Sequence, residues 1–363
     1  MAKSGLETGL MSDILQVAAQ GRRRQRVAVL TAFACLLTLV LPLAAQAHHS
    51  RAAFDLQAQI ALQGEVTEVG WTNPHFYMQL QLDDGRVWTF EGHSIPGLVR
   101  NGWRRNTLEV GATVRLVANP HRDGRTRFAL LNHVTREDGA TFHSFKPTEE
   151  VSRRLRQPIA ASKDFTGSWQ IERSLRQNLV GGFGAPSDWP LTETARSQAA
   201  SFDIKDDPSL RCEPRGLPRM LEWPYISRWR NVDDGIDVVI EHSTDRRLLF
   251  NDAGAARAVM PDMGISRITH RDADKLVIES QGFPAKFWGI TRGIDSSDAK
   301  RLVETYTLAP DGLSMHLTLE IHDPASLTEP VVQVYKYRKT HDFVFGEEPP
   351  CDLTTAQRHL QFE

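Results

Sequence analysis

The sequence predicts a mainly β protein: an N-terminal five-stranded OB-like barrel, then a larger antiparallel β-barrel reminiscent of lipocalins, with a few short helices. Three observations predict it. Short segments of alternating apolar and polar residues recur along the chain, Asp-Gly turns such as Asp84-Gly85 and Asp123-Gly124 punctuate them, and Gly167-x-Trp169 precedes the first strand of the second run. A length of 363 residues exceeds what one core usually serves, so two domains are expected.

Residues 1–47 read as a secretory signal. A basic stretch, Arg22-Arg23-Arg24-Gln25-Arg26, leads into an apolar run over 27–43 and a small-x-small cleavage site, Ala45-Gln46-Ala47. The run is shorter than the about 20 residues a spanning helix wants. Cleavage after Ala47, a periplasmic location and no membrane attachment of the mature chain are therefore expected. Cys35 sits in the apolar run without a lipobox and reads as signal core. Met11, just upstream of the basic cluster, is an alternative start. Cys212 and Cys351 remain, and in an oxidising compartment they most simply pair as a disulfide tying the C-terminus to the second domain.

The chain carries 43 Lys and Arg against 45 Asp and Glu, a net charge of −2. Loss of the basic leader makes the mature protein more acidic, and no basic face points to nucleic acid.

In the first domain, 48–141, strands are expected over 60–69, 76–82, 86–91, 113–118 and 127–135. The one helix, 94–101, falls between the third and fourth strands, where an OB barrel carries its helix. Residues 142–163, charged and holding Pro147 and Pro158, read as a linker with a short helix over 149–156. In the second domain, 164–363, strands are expected over 236–241, 247–250, 275–280, 302–308, 314–321 and 331–338, with helices over 190–200 and 354–360. Closure into a barrel removes exposed sheet edges.

Several motifs stand out in the first domain: His48-His49-Ser50 at the mature start, Trp71-Thr72-Asn73-Pro74-His75, Glu91 with Ser94-Ile95-Pro96, Leu98-Val99-Arg100-Asn101-Gly102-Trp103, and Gly111. Over 48–141 the chain resembles a family of small exported bacterial proteins of unknown function. It departs from them at Asn106, where an acidic residue is usual, and at Val110-Gly111 in place of Pro-Gly. The second domain, through Cys212-Glu213-Pro214-x-Gly216-x-Pro218-Arg219 and Trp223-Pro224-Tyr225, is similar to another uncharacterised exported module. Neither resemblance implies an activity.

Three functions compete. The leading expectation is a binding protein that holds a small hydrophobic or aromatic molecule in the second barrel. Its lining would come from Trp223, Tyr225 and Trp288, with Arg228, Arg267 or Arg292 receiving an anionic group; this predicts a sizeable apolar cavity. The second is copper binding or delivery. Cleavage after Ala47 makes His48 the N-terminal residue, whose amine and imidazole together chelate Cu(II), and His75, His93, His49 or Glu91 would complete the site. Glu91 alternatively pairs with Arg100 or Arg104 as a structural contact. The third is an enzyme, using copper or an acid–base pair; alternation puts Glu320 and His322 on one strand face.

Overall fold

The computed structural model describes residues 53–172, 188–222, 225–241, 244–250, 260–342, 345 and 349–358. The expected signal, His48, His49 and Trp223 lie outside the described residues.

The first barrel consists of β1 (Ile60–Gly70), β2 (Tyr77–Gln81), β3 (Val87–Glu91), β4 (Thr113–Pro120) and β5 (Phe128–Arg136), with helix α1 (Ile95–Arg100) between β3 and β4. Sheet order is β3-β2-β1-β4-β5, and a parallel β3–β5 pairing closes the ring. A ring of five strands cannot alternate direction throughout, so at least one neighbouring pair must be parallel. Gly85, at φ 80°, makes the β2–β3 turn that Asp84-Gly85 announced. Proline in the first turn suits the start of α1, and Leu98 and Ile95 bury against Trp103, Phe76 and Phe90 in the core. Strand β6 (Thr141–His143) pairs with β5 and carries the sheet past residue 141, into the segment read as linker. Helix α2 (Glu149–Leu155) follows, capped by the Thr148 hydroxyl accepting from the Val151 amide.

The second barrel closes nine strands: β7 (Gly167–Ile171), β8 (Ile226–Val232), β9 (Gly235–Ile240), β10 (Thr244–Phe250), β11 (Ile265–Arg271), β12 (Lys275–Gln281), β15 (Arg301–Leu308), β16 (Ser314–His322) and β17 (Val331–Thr340). The expectation of an antiparallel barrel holds at every pair but one: β10 and β11 run parallel. Nine strands with a parallel seam also differ from the eight-stranded up-and-down lipocalin plan. A hairpin of β13 (Lys286–Thr291) and β14 (Ile294–Ser296) pairs apart from the barrel, and α3 (Glu193–Ser201) and α4 (Leu353–Gln357) complete the elements. Trp169 is fully buried, its indole donating to the Phe165 carbonyl at 2.9 Å with the Lys339 ammonium 5.3 Å from its ring centre. Among the described residues no helix is long and apolar enough to cross a membrane.

Cys212 and Cys351 form the expected disulfide, spanning 139 residues. The C-terminal segment it anchors reaches the first barrel: the Asn73 amide donates to the Pro350 carbonyl (3.2 Å), its side chain to Pro349 (3.1 Å), and the Asp352 amide donates to the Asn73 carbonyl (2.9 Å). Arg358 lies over the Tyr77 ring at 3.9 Å.

Candidate functional site

His75 immediately precedes β2, and two hydrogen bonds, Phe76 amide to His93 carbonyl (3.1 Å) and Gly92 amide to Phe76 carbonyl (2.8 Å), extend the β2–β3 ladder to reach it. Register sets Glu91 opposite Tyr77 at the end of β3, close enough for the His75 Nδ1 to meet a Glu91 carboxylate oxygen at 2.9 Å. Glu91 is buried and His75 about one-third exposed, at 32%. Burial alone would lower the imidazole's pKa, but the charge and hydrogen bond of Glu91 outweigh it and hold the pKa above the ordinary histidine value. With Nδ1 spent on the carboxylate, Nε2 is the nitrogen left for other chemistry, the arrangement in which a carboxylate behind the ring orients a metal-ligating imidazole.

The other candidates at this site separate. The His93 ring turns toward α1: its Nδ1 accepts from the Ser94 amide at 2.7 Å, and its ring packs on Phe145 with centres 5.2 Å apart. Arg100 does not pair with Glu91; it reaches the second barrel and meets Glu241, which also accepts from the Ile226 amide at 3.1 Å. Among the described residues no group of three or more His, Cys, Asp or Glu is placed to hold a metal ion. Of the ligand set read from the sequence, the fold brings together His75 and Glu91.

The second barrel corrects several expectations. Tyr225, Ser227, Trp229, Tyr306, Tyr337 and Arg246 line a cavity of about 20 Å³, room for about one water molecule rather than an aromatic guest. Strand alternation explains the misplaced arginine. Ser227 and Trp229 point inward on β8, so Arg228 between them points outward, over the Phe345 ring at 5.1 Å. Arg292 is occupied by the buried Asp207 at 3.1 Å, and Arg267 donates to the Phe250 carbonyl at 3.3 Å. Trp288 lies on the β13–β14 hairpin rather than on a barrel strand, packed between Phe287 and Phe202. Tyr225 does line the cavity, its hydroxyl accepting from Arg215 at 3.2 Å.

Arg246 is the inward arginine that sequence reading missed. Its guanidinium clasps Glu304 through Nη1–Oε2 at 2.9 Å and Nη2–Oε1 at 2.6 Å, while Ser266 and Ser280 accept at 2.8 Å. The Tyr306 hydroxyl donates to Glu304 at 2.9 Å, and its pKa stands well above the ordinary value because of burial and the adjacent carboxylate. The signal was available: Arg246 alternates in phase with Leu248, as Glu304 does with Leu302 and Tyr306, all buried. Glu320 and His322 share a strand face, as alternation predicts, but it is the outer face; their side chains are 3.5 Å apart and 42% and 25% exposed.

One further pair escaped the sequence reading. Antiparallel register sets His133 on β5 opposite His143 on β6, with ring centres 5.0 Å apart. Burial, then the neighbouring His143 and Lys146, lower the pKa of His133; burial and Lys146 do the same for His143.

Fold and site thus define a two-barrel, disulfide-linked β protein whose partly exposed His75 pairs with the buried Glu91 on the smaller barrel. Residues 37–129 match the model of a family of unknown function, DUF6152, a span that includes His75, Glu91 and His93. No curated protein matches the chain.

Proposed function

We propose that the protein is an exported copper-binding protein whose site is built on His75, with Glu91 orienting its ring and the amine and imidazole of His48 completing the ligand set. One observation carries the reading: the His75 Nδ1 is held at 2.9 Å by a buried carboxylate, which points Nε2 away from it. Imidazole and amine nitrogens suit Cu(II), the tightest-bound of the first-row divalent ions. The proton that Glu91 favours on His75 competes with the metal, so affinity rises with pH. Intact-mass analysis and copper titration of natively exported, untagged protein test this. A chain beginning at His48 that takes up stoichiometric copper, weakened by both His48→Ala and His75→Ala, is expected. Unchanged uptake in His75→Ala, or none in the wild type, overturns it.

A second reading, small-molecule binding in the larger barrel, draws support from the aromatic wall of Tyr225, Trp229, Tyr306 and Tyr337. A guest larger than water would have to displace these side chains, so it is expected to change tryptophan fluorescence; an apolar dye that leaves it unaltered argues against this reading.

A further inference from the structure

We propose that His133 and His143 form a second, independent binding site for a borderline divalent cation, Cu2+, Ni2+ or Zn2+, on the outer face of the β5–β6 hairpin. The Ser144 amide donates to the Asn132 carbonyl at 2.8 Å, so Asn132 and Ser144 form a hydrogen-bonded pair. The next pair, His133 and His143, is then of the non-hydrogen-bonded kind, in which opposed side chains stand closest.

The spacing fits chelation. A cation about 2.1 Å from an imidazole nitrogen lies about 3.2 Å from that ring's centre. Two ring centres 5.0 Å apart then subtend about 100° at a shared ion, between the square-planar and tetrahedral angles. Among the described residues neither ring has a hydrogen-bond partner that would hold its nitrogens elsewhere. Both rings are half-buried, which limits their freedom while leaving an approach for solvent. The hairpin is rigidly backed: the Trp103 indole donates to the His143 carbonyl at 2.9 Å, and Thr135 and Thr141, the next pair on the same face, join hydroxyls at 3.0 Å. Water would fill the remaining coordination positions.

The test uses the full chain carrying His48→Ala and His75→Ala, so that the site under Proposed function is absent and failure of one leaves the other standing. Calorimetric titration with Cu2+ and Ni2+ is expected to give one equivalent, tighter for Cu2+, with NMR amide broadening centred on residues 133 and 143. His133→Gln and His143→Gln, each checked for folding by circular dichroism, are expected to weaken binding by about tenfold or more, since either loss ends the chelate. Lys146→Ala, which removes a repelling charge, is expected to strengthen it. No binding in the His48→Ala/His75→Ala chain, broadening elsewhere, or unchanged affinity in both glutamine variants overturns the proposal.

Discussion

The two barrels obey the same rule of closure and treat charge in opposite ways. Five strands close through a parallel β3–β5 seam and nine through a parallel β10–β11 seam. The smaller barrel sets its His75–Glu91 pair at a strand end, where the imidazole meets solvent. The larger one folds Arg246 and Glu304 into its interior, both nearly inaccessible. A histidine one-third exposed has a nitrogen to offer a ligand, whereas a guanidinium whose hydrogen bonds go to Glu304, Ser266 and Ser280 is committed to holding the wall together.

Breaking the interior pair should cost the most. Glu304→Leu leaves a buried guanidinium without its carboxylate, and a loss of about 3–5 kcal/mol is expected in chemical denaturation. Arg246→Met added to it should restore most of that loss, because a buried pair replaced by apolar groups is close to neutral. No recovery in the double variant would mean that Arg246 serves more than structure.

Next comes the link between the barrels. Replacing both Cys212 and Cys351 with serine is expected to remove about 2–4 kcal/mol. The same change should release Pro349 and Pro350 from Asn73, read as faster amide exchange at Asn73 and Asp352.

Asp207 gives a smaller, pH-dependent effect in the larger barrel. Burial opposes its charge, but Arg219 and Arg292 prevail and hold its pKa down to about 2. A depressed carboxylate stabilises the fold above its unfolded pKa and loses that contribution as pH falls through the folded value. Asp207→Asn should therefore remove a wild-type advantage of about 2 kcal/mol at neutral pH, which fades between about pH 4 and 2. Parallel pH curves for the two proteins would refute the assignment.

The smallest effect on stability, and the most informative about the smaller barrel, comes from Glu91→Gln. The His75 pKa is raised, so its contribution is present in acid and disappears as pH rises through the folded value. Without the carboxylate the pKa should fall in an NMR titration, since burial then acts unopposed. If the titration stays where it is, Glu91 does not orient the ring.

Much of the architecture was legible. β1 to β5, β9, β10, β12 and β15 to β17 carry alternation or turn signals strong enough to be read locally, whereas β6, β8, β11, β13 and β14 are not among the expected strands; Asp84-Gly85 marks its turn. His75 and Glu91 were singled out by residue type and by the expected β2–β3 pairing. What could not be read was direction across the barrel. Arg228, expected to face the barrel interior, points outward, and Arg246, one position before the expected start of its strand, points inward. A one-residue difference in phase exchanges the two faces.

By itself, the sequence determined the strand periods, the turns, the helix between β3 and β4 and the expectation that Cys212 pairs with Cys351, because these depend on local backbone preference and on composition. Only the tertiary structure decided that Tyr225, Trp229, Tyr306 and Tyr337 close around a cavity of about 20 Å³, that Arg246 and Glu304 meet inside the larger barrel, and that His133 faces His143. Those outcomes depend on register between strands and on the packing of side chains from distant segments, which no local pattern encodes.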